Sequence, residues 1–250
     1  RQDASVSYSS AGSESLISPG HPVLAARTGK GVLVAVIDSG VHADHPHVGG
    51  VVGGIAIEED GERHGDYVDR LGHGTAVTAA IREKAPEADI YVIKVFGRTL
   101  STSTGTLVQA IDEAVEQGAR IVNLSLGTAR PEHELTLWAA VNRALGRGAL
   151  VVSPRAHEGR AWLPGSLDGA VGVVLDWGCP RDHLRVVRDE GQEPVFVASG
   201  FPRPIPGVSP ERNLKGVSFA AANTTGILAC LMQDRPELKS VMDILIMLDD

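Results

Sequence analysis

Three side chains in this sequence combine a reactive type with an unusual setting. Asp38 ends the apolar run Val34-Ala35-Val36-Ile37 and is followed by Ser39-Gly40. His73 stands between Gly72 and Gly74, just before Thr75. Ser218 lies in Gly216-Val217-Ser218-Phe219-Ala220. A serine hydroxyl becomes a nucleophile when a histidine takes its proton, and a carboxylate can orient that histidine and stabilise its charged form. Each residue also has a plain structural explanation. Serine is a common helix N-cap, a helix-start histidine can bond to backbone, and Asp-Ser-Gly is a turn sequence. Against these stands the cost of burying an acid after an apolar strand unless it is paired. The carboxyl ends of strands in an open α/β sheet are also where ligand sites gather. The serine context is not a G-x-S-x-G elbow, because Ala220 occupies its last position.

The elements that must position these groups follow from the apolar pattern. Runs at 32–37, 90–96, 121–124, 149–152, 171–175 and 194–198 are bounded by glycine or polar clusters and are expected to be buried strands. Helical spacing is expected over 75–84, 106–117, 133–145 and 218–232, with a last helix over 236–248. The proline-rich stretch 200–216 is expected to be a loop. Alternating strands and helices build a mostly parallel sheet with helices on both faces. No repeat or linker divides the chain. Residues 1–20, rich in serine and glycine, are expected to form a flexible leader, and 21–250 one domain.

The wording around the three residues adds a further layer. Asp38-Ser39-Gly40-Val41 with His45-Pro46, Asp69-Arg70-Leu71-Gly72-His73-Gly74-Thr75 and Gly216-Val217-Ser218-Phe219-Ala220-Ala221 resemble the aspartate, histidine and serine blocks of the subtilisin-like serine peptidases (subtilases). Asn123-Leu124-Ser125-Leu126-Gly127 is similar to that family's substrate edge, and Leu163-Pro164-Gly165 also fits. The resemblance implies a three-layer subtilisin-like α/β fold and a serine endopeptidase. It implies that Ser218 attacks the peptide carbonyl, His73 transfers the proton and Asp38 orients the ring. Substrate would pair with Ser125, Leu126 and Gly127, while Ser153, Pro154, Arg155 and Ala156 would wall the pocket for the residue before the cut.

One position departs from the pattern. His157, in Arg155-Ala156-His157-Glu158-Gly159, stands where a subtilase carries the asparagine that donates to the oxyanion. Losing such a donor costs about 10²–10³ in rate, and a neutral histidine still offers one N–H. Three readings stay open: His157 donates, another group donates, or the site is weak or inactive. The last keeps a peptide-binding module in play, and an acyl-enzyme that passes the peptide to an amine is a third outcome. Smaller departures are Val217, Phe219, Ala222 and Asn223 in the serine block.

Bulk properties limit the partners. A formal charge of −8 in 250 residues argues against nucleic acid, and no run approaches the ~20 apolar residues of a membrane helix. A peptide or protein substrate is expected, with no cofactor and no metal, and the oligomeric state is left open. His42, Asp44, His45 and His47, like His64 and Asp66, match no tight zinc spacing and are expected in solvated loops. The passage from His73 to residue 96 runs straight through Ala85-Pro86-Glu87 without the loop that binds calcium in secreted subtilases, so the resemblance implies no structural calcium. Cys179 and Cys230 are expected to be two buried thiols rather than a disulfide. With no signal peptide, propeptide or calcium loop visible in this sequence, the expectation leans toward the cytoplasm and toward a narrow substrate such as a precursor peptide.

Overall fold

Successive residues of the run 33–38 are buried in two different apolar clusters: Val34 and Val36 in one, Ala35 and Ile37 in the other. A strand covered on both faces reads as a continuous apolar run because its alternate side chains meet two cores. The computed structural model describes residues 13–97, 99–209 and 212–249. Its strands are β1 (Ser13–Ile17), β2 (Leu33–Asp38), β3 (Gly53–Ile57), β4 (Arg63–His64), β5 (Asp89–Lys94), β6 (Ile121–Leu124), β7 (Leu150–Pro154), β8 (Ala156–His157), β9 (Arg160–Ala161), β10 (Val171–Leu175), β11 (Leu184–Arg188) and β12 (Val195–Ala198). Its α-helices are α1 (His73–Lys84), α2 (Thr104–Glu116), α3 (Glu134–Gly146), α4 (Val217–Met232) and α5 (Val241–Asp249).

Ten strands form one sheet in the order β1-β11-β12-β10-β7-β6-β2-β5-β3-β4. From β12 to β3 every neighbouring pair is parallel, and the antiparallel strands stand at the two edges. Helices α1 and α4 cover one face with Val77, Ile81, Ile227 and Leu228. Helices α2 and α3 cover the other with Leu107, Ile111, Leu137 and Val141. The result is a three-layer α/β architecture, and the expected strands and helices lie at or within a few residues of the observed ones. Helix α4 is buried along almost its whole length, as a helix with apolar residues on every side must be.

Three differences have physical causes. The expected leader reaches residue 20, yet Ser13–Ile17 is an edge strand: β1 pairs antiparallel with β11, and Ile17 is fully buried. The remainder of that expectation, 1–12, lies outside the described residues. The strands β3 and β11 were hidden in the sequence by Gly53-Gly54 and by the arginines flanking Val186-Val187. The last helix starts at Val241 rather than 236 because Ser240 and Asp243 form a reciprocal cap. Asp243 Oδ2 accepts from the Ser240 N–H at 2.8 Å, and the Asp243 N–H donates to Ser240 Oγ at 3.2 Å. No described helix is long and apolar enough to cross a membrane. Cys179 and Cys230 are both free and buried, and burial pushes each thiol up to about 11.

Candidate active site

The carboxyl end of β2 delivers Asp38 to the upper rim of the sheet, 1% exposed. Its Oδ1 accepts from the Ser39 N–H at 2.7 Å and lies 2.8 Å from His73 Nδ1. Its buried Oδ2 accepts nothing among the described residues. With Nδ1 bonded to a carboxylate, the neutral imidazole carries its proton there and presents the Nε2 lone pair outward.

His73 is the first residue of α1, and the helix start is built by buried side chains other than its own. The N-cap, Gly72, has no side chain to offer. Asp69 takes the capping role instead: Oδ1 accepts from the Leu71 and Gly72 N–H groups at 2.9 and 2.8 Å, and Oδ2 accepts from the N–H and hydroxyl of Thr75 at 2.9 and 2.6 Å. Ser39 then joins the two loops, donating to Asp69 Oδ1 at 2.9 Å and accepting from the Gly74 N–H at 2.9 Å. A β-carbon at position 74 would overlap the Gly40 carbonyl and press on Asp38, so only glycine allows His73 this close to the acid.

Burial lowers the His73 pKa, but the hydrogen bond and charge of Asp38, helped by the charge of Asp69, outweigh it, and the net shift is upward. Burial likewise raises Asp69, and the bonds from Thr75, Leu71 and Gly72 reverse that, so its carboxyl is held below the ordinary range. Phe219 of α4 lies beside the imidazole, ring centroids 5.8 Å apart.

Ser218 is the second residue of α4, in the first turn, where main-chain N–H groups lack helical partners. Its hydroxyl donates to the Ser125 carbonyl at 2.9 Å. Among the described residues no hydrogen bond joins it to His73. Ser125 is itself fixed from behind: Asn123 Nδ2 donates to Ser125 Oγ at 3.1 Å, and Thr225 Oγ1 donates to Asn123 Oδ1 at 2.8 Å. Thr225 lies two turns along α4 from Ser218, so helix and strand are tied at both points. Asn223 secures the same helix to the loop after β12, donating to the Ser199 and Phe201 carbonyls at 2.9 and 3.1 Å.

Ser125, Leu126 and Gly127 continue past the end of β6. The expected pocket wall is split by burial. Ser153 and Pro154 are buried in β7, with Ser153 Oγ donating to the Leu126 carbonyl at 3.4 Å, whereas Arg155 and Ala156 are half-buried. Ser153 therefore ties one wall to the other from beneath. His157 is the second residue of β8, paired in register with Arg160 of β9; its side chain lies outside the described residues. Of the other histidines, His42 reaches this region through its main chain, its N–H donating to Thr75 Oγ1 at 3.1 Å. His42, Asp44 and His45 are exposed, and His64 sits 3.0 Å from Glu58. Among the described residues no three histidine, cysteine or acidic side chains converge as a metal cage would. In the sequence Asp69, Thr75 and Asn123 appear only as members of motif segments, with no supporting role of their own, and Thr225 lies outside those segments. An aspartate four residues before the first helical residue was the one available signal.

Comparison with known proteins places the chain among one family of sequences and one fold. Residues 29–154 match the model of the subtilase family, a span that holds Asp38 and His73 and stops before Ser218. The chain is 34% identical over 226 residues to an intracellular serine protease of Paenibacillus polymyxa, covering 82% of this chain and 68% of that protein. It is 30% identical over 221 residues to subtilisin Savinase of Lederbergia lenta, covering 86% and 81%. The M-protease of Shouchella clausii (strain KSM-K16) matches at 30% over the same 86% of the chain, which there spans only 57% of the relative's length. Among solved structures, a cold adapted subtilisin-like serine proteinase superposes with a TM-score of 0.63 at 21% identity, covering 85% of this chain and 81% of that one. Prenylagaramide maturation protease PagA superposes with a TM-score of 0.61 at 26% identity, covering 82% and 77%.

Proposed function

The chain belongs to the subtilase family, and from that premise we propose that it is a serine endopeptidase that cuts peptide bonds through Ser218, His73 and Asp38. The observation that carries the reading is the 2.8 Å bond between buried Asp38 Oδ1 and His73 Nδ1, with Ser218 in the first turn of a helix beside the ring. In this reading Ser218 turns from the Ser125 carbonyl toward His73 Nε2 when substrate binds. Its oxygen attacks the peptide carbonyl as His73 takes the proton, and the imidazolium formed is stabilised by Asp38. His73 then protonates the departing amine, which leaves an acyl-enzyme. Water, deprotonated by the same ring, releases the acid and restores Ser218.

For the oxyanion we assign the His157 side chain, with the Ser218 main-chain N–H as the second donor. Replacing His157 by Asn and by Ala tests it. Alanine is expected to lose about 10²-fold or more in kcat, and equal turnover in all three proteins removes His157 from the mechanism. Substrate is proposed to lie extended along Ser125, Leu126 and Gly127 as an added strand. A narrow substrate such as a precursor peptide is supported by the likeness to a maturation protease.

A fluorophosphonate probe followed by intact-protein mass spectrometry tests the whole proposal. One adduct on Ser218, lost in His73→Ala, is the expected result. An unlabelled protein would instead make the fold a peptide-binding module. Labelling combined with a joined rather than hydrolysed peptide would make it an acyl transferase.

A further inference from the structure

Between the two walls of the proposed pocket lies a residue that the sequence reading left unassigned. The Trp162 N–H donates to the Arg155 carbonyl at 2.9 Å. The next residue, Leu163, exchanges two hydrogen bonds with Thr128, at 2.8 and 2.9 Å, in an antiparallel bridge. Residues 162–163 therefore run as a short strand between the segment that carries Gly127 and the segment that carries Arg155 and Ala156. Strands joined in this way stand about 4.8 Å apart, so the two walls are about 10 Å apart with this backbone as the floor of the slot.

The indole of Trp162 lies against one wall. Its Cδ1–Nε1 edge sits so close to the Gly127 α-carbon that a β-carbon at 127 would overlap it. Gly127 and Trp162 are thus a matched pair, the ring occupying the volume that any other residue at 127 would need. A slot of this width holds one flat ring beside its walls, not two. Trp162 is half-buried, and its edge on Gly127 sets part of the ring against the wall that a substrate side chain entering the slot would meet.

We infer that Trp162 closes the first subsite and restricts the residue before the cut to glycine, alanine or another side chain of that size. The inference rests on the peptidase reading for the identity of the slot, and it adds the substrate class. The narrow slot excludes aromatic and large aliphatic residues by overlap, and it fits a protein that cuts few sites.

The test is a peptide series of one sequence carrying Gly, Ala, Leu or Phe before the cut, turned over by the wild type, Trp162→Gly and Trp162→Leu. In the wild type, kcat/KM for Ala is expected to exceed that for Phe by about 100-fold, the scale of a steric mismatch in a closed pocket. Trp162→Gly should reduce that ratio at least to near unity, with Trp162→Leu in between. Wild-type turnover of the Phe peptide as fast as Ala overturns the inference, as does an unchanged ratio in folded Trp162→Gly, or in Trp162→Leu where the glycine variant does not fold. Should no peptide be cut and Ser218 remain unlabelled by the fluorophosphonate, the peptidase reading fails on its own. The slot is then read by fluorescence anisotropy in Ser218→Ala, with labelled peptides ending in Ala or Phe. Only the Phe peptide should gain affinity when Trp162→Gly is added, and equal gains for both overturn the inference.

Discussion

His73 is where opposing electrostatic effects are balanced, and the balance makes pH predictions. Burial disfavours the charged ring, while Asp38 at 2.8 Å and the charge of Asp69 favour it more. The base is therefore raised above the ordinary imidazole value of about 6.5. The acid limb of kcat/KM, which reports the free base, is expected above pH 6.5, and in Asp38→Asn it should move down. The same variant should lose about 10⁴ in kcat, because the amide no longer fixes the tautomer; steady-state kinetics across pH measures both. The charged His73–Asp38 pair also stabilises the fold fully below about pH 6.5 and less as pH rises through the raised value. At this scale much was legible. Asp38, His73 and Ser218 stood out by type and setting, whereas Trp162 did not, since nothing in Ala161-Trp162-Leu163 shows which backbone its ring will meet.

Helix α1 illustrates how an element can be positioned by residues outside it. Gly72 gives the chain its entry into the helix and no cap, so the four bonds to Asp69 hold the first turn in place. Asp69→Asn turns an amide toward donors that need an acceptor, and it should cost about 3 kcal/mol at pH 7 by urea denaturation. The Asp69 carboxyl is held low in the folded chain. Its contribution is therefore present above the unfolded value of about 3.9 and lost as pH falls through the lower folded one, so the two proteins should converge at acid pH. A fall in kcat is expected alongside, because His73 rides on that turn. The helix existed in the sequence as an apolar pattern over 75–84; its true start, two residues earlier, depended on a buried acid that a local pattern does not reveal. The start of α5 was missed for a related reason, since Ser240 and Asp243 cap each other only once the chain has turned.

Across the whole molecule, the sheet's parallel centre was legible because strands buried on two faces are apolar throughout, and its edges were not. Strands β1, β3 and β11 each bury one side or carry glycine, so their runs look like loops. The consequence for stability is specific: Ile17, fully buried on an edge strand, is held by β11 and the core beneath it. Ile17→Ala should lower the unfolding free energy by about 2–5 kcal/mol without altering kcat, measured by urea titration and turnover at 20 °C. A different kind of behaviour follows from the bonds running from Thr225 through Asn123 to Ser125, and from Ser218 back to Ser125. They anchor Ser218 to the most deeply buried helix and to the middle of the sheet. A serine tied in this way is expected to loosen only when the core itself does. On heating, probe-reactive Ser218 should vanish in step with the calorimetric transition, with no interval in which an intact fold has already gone silent.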